Sequence, residues 1–322
     1  MSRVLLPRPL GRLLAPAVAS LAMLAPPAAL AQAQAVAPEP APELAPVGTY
    51  AAAGSGAALW VVGDADSTIY LFGTFHALRP DVAWRTQAVD KAFAEADEYW
   101  FEIADLTDMG GAVPIIQAKG LSPERPLSSL LTAEEMASLD EAARSVGTSA
   151  ARLEPMRPWL ASLTLAVATI TRAGYRPEHG GDQVLHAMAE ATGRPIRGLE
   201  TMAQQVGFLA DLDEAEQLQN LRTALDQFEK GTELLDQMVT AWSTADLEGL
   251  DQLAADDLRR DSPTLYEVLF TRRNQNWAKQ VEAILAGSGT QFIAVGAGHL
   301  TGPDSLQVQL EKRGILARRI AP

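Results

Sequence analysis

The chain has 322 residues, 48% apolar and 20% charged, the composition of a globular protein and not of a disordered or fibrous one. Lys and Arg number 26 against 40 Asp and Glu, giving a net charge of −14; so acidic a chain repels phosphate backbones, and nucleic acid is not an expected partner. It has no cysteine, which excludes disulfide staples, thiolate metal sites and cysteine nucleophiles.

Residues 1–31 carry Arg3, Arg8 and Arg12, an uncharged apolar run from Leu13 to Leu24, and then Ala29-Leu30-Ala31. A basic start, a short apolar middle and small residues at −3 and −1 predict a Sec signal peptide cut after Ala31, and hence a periplasmic or secreted protein. An uncleaved anchor is the alternative. Pro16, Pro26 and Pro27 interrupt the apolar run and argue against it. No later stretch is apolar for long enough to span a bilayer, so no membrane span is expected in the mature form. Residues 32–57, with Pro38, Pro40, Pro42, Pro46 and Gly54-Ser55-Gly56, read as an Ala/Pro-rich disordered linker.

The domain is expected over 58–322. Ala58 to Val62 and Thr68 to Phe72 are apolar runs around Gly63-Asp64-Ala65-Asp66-Ser67, a β-hairpin pattern. Helical spacing follows over 85–97, then a short strand, Tyr99-Trp100-Phe101, ending at Glu102. Strand, helix and strand in succession predict a right-handed crossover and a parallel sheet. Residues 106–286 read as a large helical insertion. Within it lie a capping box at Thr132 to Glu135, a helix over 157–173 that is apolar nearly all round and expected to be buried, and a helix after Gly180-Gly181. A short strand, Ile196 to Leu199, acidic helices over 201–257 and one long helix from Thr264 to Leu285 complete the insertion. Gln291 to Val295 is a strand, Ser305 to Lys312 a helix and Ile315 to Ile320 a closing strand. The fold class is therefore α/β, with a mixed, largely parallel sheet built from the N- and C-terminal segments.

Two of the four histidines share one context: Gly73-x-x-His76 and Gly296-x-x-His299, each just past the C-terminal end of an apolar strand. Ligands collect beyond the carboxyl ends of parallel strands, and a glycine there lets the chain turn and clears space. Glu102 ends a third strand in the same way. Two imidazoles and a carboxylate suit a divalent metal that would activate a bound water. Without metal, the same residues suit general-base hydrolysis. The blander alternative for each is a structural hydrogen bond or a solvated strand end, and His179 and His186 read as surface or helix residues. Arg273, on the long helix, is a candidate to hold Glu102 or a substrate carboxylate, Asp182 a candidate helix cap, and Glu200 follows a strand.

Leu71-Phe72-Gly73-Thr74-Phe75-His76, Phe101-Glu102, Gly198-Leu199-Glu200-Thr201, Arg273-Asn274 and Val295-Gly296-Ala297-Gly298-His299-Leu300, in that order, resemble the TraB/GumN family. That family includes the Tiki metalloproteases and is distantly similar to erythromycin esterases and ChaN-like haem-binding proteins. The resemblance spans roughly residues 57–320. It implies an α/β fold of the erythromycin esterase/ChaN-like type and a metalloprotease-like site. His76, Glu102 and His299 would ligate Mn, Co or Zn, and Arg273, Glu200 and Asn274 would support them. The expected function is an exported metal-dependent hydrolase acting on a peptide or small molecule. A metal-free His/Glu esterase-like hydrolase and a non-catalytic protein that sequesters a peptide or haem are the alternatives.

Overall fold

The computed structural model of the chain describes residues 49–51 and 56–321. The signal-peptide reading of residues 1–31 and most of the 32–57 linker lie outside the described residues. The described residues hold eight strands in chain order: β1 (Thr49–Tyr50), β2 (Leu59–Gly63), β3 (Ser67–Thr74), β4 (Ala83–Arg85), β5 (Glu98–Ile103), β6 (Ile196–Glu200), β7 (Gly289–Gly296) and β8 (Arg318–Ile320). β1 pairs in parallel with β4, and Ala57 is buried, so residues inside the stretch expected to be linker belong to the fold. Proline-rich composition hid a two-residue strand that exists only through its pairing.

β2 and β3 form the expected hairpin, in register from Leu59 opposite Phe72 to Gly63 opposite Thr68. Its turn is closed by Asp64, whose Oδ1 accepts from the backbone N–H of Asp66 (3.2 Å) and of Ser67 (2.9 Å). The main sheet has the order β6-β5-β7-β3-β2-β8. β6, β5, β7 and β3 run parallel; at one side β2 is antiparallel to β3, and β8 is antiparallel to β2. The sheet is α/β and largely parallel, as the sequence pattern predicts.

The two central strands, β3 and β7, carry apolar runs, Ile69 to Phe72 and Phe292 to Val295, because both their faces are covered there. Ile69, Leu71, Ile293 and Val295 pack with Trp277, Val281 and Leu310 on one face. Phe72, Phe292 and Ala294 pack with Val89, Leu185 and Met238 on the other. Alternate residues thus feed two cores, and each fully buried side chain of this size contributes about 1.5–3 kcal/mol.

The insertion between β5 and β7 is helical apart from β6 and brings two further cores. One, around Trp159, Val206 and Phe270, borders the carboxyl edge of the sheet; the other gathers Leu139, Leu153 and Leu221. Thr132 and Glu135 make the expected capping box at the helix Ala133–Ser145. Two expectations need correction. The helix Pro158–Arg172 is buried only along its first half, Pro158 to Leu165. The long helix is not uniform: a π-helical stretch, Glu267–Thr271, separates Pro263–Tyr266 from Arg272–Leu285.

Candidate active site

All four parallel strands deliver a polar residue to the same edge. β3 ends at Thr74 and leads to His76; β5 carries Glu102, β6 ends in Glu200, and β7 ends at Gly296 and leads to His299. Thr74 and Gly296 are register partners, so the two Gly-x-x-His segments leave the sheet side by side. Glycine is needed at both strand ends for space. A Cβ on Gly73 would lie 3.0 Å from Ala297 Cα, so the two chain turns touch backbone to backbone. A Cβ on Gly296 would lie 3.1 Å from Glu102 Oε1, 3.6 Å from His76 Nε2 and 3.6 Å from His299 Cδ2. The two imidazoles and the carboxylate therefore surround the gap that this glycine leaves.

His76 is held from behind by a carboxylate. Its Nδ1–H donates to Asp182 Oδ2 at 2.6 Å, and the Thr74 hydroxyl donates to the other oxygen, Oδ1. Asp182 was expected to cap its helix. In the structure Gly180 is the N-cap of Gly181–Thr192, no side chain caps it, and Asp182 reaches across to the sheet. Burial alone would push the His76 pKa down; the charge and hydrogen bond of Asp182, with Glu102 adding, outweigh it and leave it raised. Burial would raise Asp182, but its ion pair with His76 dominates and lowers it. His76 Nε2 is buried and has no hydrogen-bond partner among the described residues. The loop bearing His76 is fixed by Gly181 N–H donating to Phe75 O at 2.8 Å and by Gly180, where a Cβ would fall 2.3 Å from His76 O.

Arg273 ties the other side together. Its Nη2 donates to Glu102 Oε2 at 2.6 Å and to Glu200 Oε2 at 2.9 Å, and its Nε to Glu200 Oε1 at 3.0 Å. Burial would lower the Arg273 pKa, but Glu200 and Glu102 raise it, so the guanidinium stays charged. Gln205, which sequence reasoning missed, bridges the two glutamates, donating to Glu102 Oε2 at 2.7 Å and to Glu200 Oε2 at 3.1 Å. Glu102 Oε1 accepts from Gly296 N–H at 2.7 Å.

His299 is engaged at both nitrogens. Nε2 accepts from Arg273 Nη1 at 3.0 Å, while Nδ1–H donates to Asn274 Oδ1 at 2.8 Å. Asn274 Nδ2 is anchored in turn on Asp304 O at 2.8 Å. Burial first, then the charges of Arg273 and His76, hold the His299 pKa well below its ordinary value. Trp277 packs against both partners, its ring 4.4 Å from the His299 ring and 4.7 Å from the Arg273 guanidinium carbon.

Every residue singled out for the site from sequence thus lies in one cluster, but this arrangement does not fit a metal held by His76, Glu102 and His299 together. The His299 lone pair is turned toward a guanidinium, whose charge would oppose a second cation there. Among the described residues no group of three or more His, Cys, Asp or Glu could hold a metal ion. The cluster is also closed: His299 is 0%, His76 1%, Glu102 2% and Arg273 3% exposed. The two remaining histidines stand apart from it. His179 is partly exposed; His186 lies on the helix Gly181–Thr192, one of the two places expected for it, and is buried, its Nε2 2.8 Å from Ala104 O and its ring against Phe101.

Among curated proteins, "Uncharacterized protein YbaP" of Escherichia coli (strain K12) is 26% identical over 241 residues, 75% of this chain and 87% of YbaP. YbaP of Shigella flexneri matches to the same extent. No solved structure matches. No helix among the described residues is long and apolar enough to cross a membrane. A model of the TraB/PrgY/gumN family matches residues 58–319, essentially the whole folded part described above, and the chain belongs to that family.

Proposed function

We propose that this protein is a hydrolase in which His76 is the general base and Asp182 orients it. The observation that carries this reading is the unpartnered, buried Nε2 of His76, beside the Gly296 gap, with a carboxylate 2.6 Å from the opposite ring nitrogen. A base backed in this way has a set tautomer and a stabilised imidazolium. Water in the gap would give a proton to His76 Nε2 as its oxygen bonds to an acyl carbon. The bond from that carbon to the leaving nitrogen or oxygen then breaks, and the imidazolium returns its proton to the leaving group. Glu102 Oε1 borders the same gap and would accept a hydrogen bond from the second O–H, which stays on the oxygen and leaves with the acid product. Arg273 and Gln205 keep Glu102 in place, and His299, locked by Arg273 and Asn274, walls the far side. The proposal extends to export, on the signal-peptide pattern of residues 1–31.

The test is hydrolysis of a panel of peptides and esters by chelator-treated protein. Wild type should retain its activity, His76→Ala should lose it, and Asp182→Asn should fall by about 10²–10⁴-fold. Activity that vanishes with the chelator and returns with Mn, Co or Zn would reassign His76 from base to ligand. A protein that cleaves nothing and co-purifies with a peptide or haem would be a sequestering protein.

A further inference from the structure

A buried reaction centre needs a route to solvent, and the structure offers one thin place. The Arg273 guanidinium lies over two aromatic rings, with its carbon 4.7 Å from the centre of Trp277 and 5.3 Å from that of Phe208. Trp277 is fully buried, whereas Phe208 is only partly buried and lines an open cleft of about 500 Å³. Phe208 therefore touches both this cleft and the ion-paired core. A volume of this size is typical of small-ligand sites.

The cleft is built by segments that also build the site. Gln204 and Phe208 lie on the helix Met202–Ala210, which carries Gln205, and Val268 belongs to the π-helical stretch that leads into Arg273. π-Helical turns inside helices recur at functional sites. Ile115, Phe208 and Val268 give the cleft apolar walls. Its rim is polar and of both signs, with Lys119 paired to Asp211 and Arg272 giving its Nε to Glu267 at 2.9 Å. Apolar walls under a rim of donors and acceptors match an apolar side chain projecting from a peptide backbone, and not a plain hydrocarbon chain.

We propose that this cleft is the specificity pocket, that it receives an apolar side chain of a peptide-like substrate, and that Phe208 is the gate between it and the Glu102–Arg273 core. The proposal rests on the hydrolase reading for its use, yet its test needs no turnover. Diethyl pyrocarbonate labels neutral imidazoles, and peptide mapping of the intact chain resolves the rate at His76. Phe208→Ala should raise that rate at least tenfold; a change under twofold, with hydrogen exchange of β7 unaltered, overturns the gate. Gly207 lies on the same helix and lines the cleft, with only Asp211 Oδ2 (3.6 Å) near an added Cβ, so Gly207→Leu should fold and narrow the pocket. Binding of N-acetyl-phenylalanine amide, read by ligand-observed NMR, should weaken at least tenfold in that variant. Equal binding in variant and wild type overturns the pocket. If both results hold and no peptide or ester is cleaved, it is the hydrolase reading that fails.

Discussion

Arg273 Nη1 faces His299 Nε2 across 3.0 Å, so the second histidine of the motif pair spends its lone pair on a guanidinium held by two glutamates. Protonating His299 would bring two cations into contact in a buried space. His299 should therefore remain the neutral Nδ1–H tautomer from pH 5 to pH 8, as long-range proton–nitrogen NMR of labelled protein would show. A titration within that range would mean that the Arg273 contact is not kept in solution.

Removing Arg273 leaves Glu102 and Glu200 facing each other without their cation. Breaking a buried ion pair from one side costs about 3–5 kcal/mol, far more than an exposed pair. Arg273→Met should lose about that much in urea denaturation. Adding Glu200→Gln to it should restore part of the loss, because one stranded charge is then removed. A loss under 1 kcal/mol would contradict the buried network.

The His76–Asp182 pair makes opposite demands on stability and rate. His76 is raised above its ordinary 6.5, so its contribution to stability is whole below that pH and is lost as pH rises through the raised value. Asp182 is lowered below 3.8, so its contribution is present above that pH and lost as pH falls through the lowered value. The pair therefore stabilises fully between about pH 4 and 6.5. A general base works unprotonated, so kcat/KM should climb just where this stability fades. Asp182→Asn leaves burial to act on His76, and the acid limb of the pH–rate profile should move to lower pH while the plateau falls. A limb that stays put would show that His76 is not the titrating base.

The sheet edge was legible because β3, β5 and β7 each carry an apolar run followed by a glycine or a carboxylate. Period, turn residues and strand ends are all local. Asp182 was misread because a first-turn acid looks the same whether it caps its own helix or crosses to a histidine 106 positions earlier. Gln205 carried no signal at all: its role exists only because the helix after β6 faces Glu102. The π-helical stretch has no proline or glycine to betray it, and apolar spacing ran straight through it. Closure of the cluster depends on Phe208, Trp277 and the insertion packing together, a tertiary fact that no spacing of histidines contains.

Gly296 separates space from backbone freedom. Its φ is −53° and its ψ 135°, a conformation open to alanine, so the absent side chain answers to room and not to torsion. The nearest atoms to an added methyl are Glu102 Oε1 at 3.1 Å and, at ordinary contact distance, His299 Cδ2 and His76 Nε2 at 3.6 Å, so only Glu102, held by Arg273 and Gln205, would have to shift. Gly296→Ala should then cost about 1–3 kcal/mol, the usual range for small overpacking, and leave the chain folded. The methyl would nevertheless fill the gap where water meets His76, and activity should fall at least 100-fold, since displacement of about 1 Å at a reacting centre is enough for such a loss. Thermal unfolding and kcat/KM on the same preparation check both halves. Full activity in Gly296→Ala would show that the reaction, if there is one, takes place elsewhere.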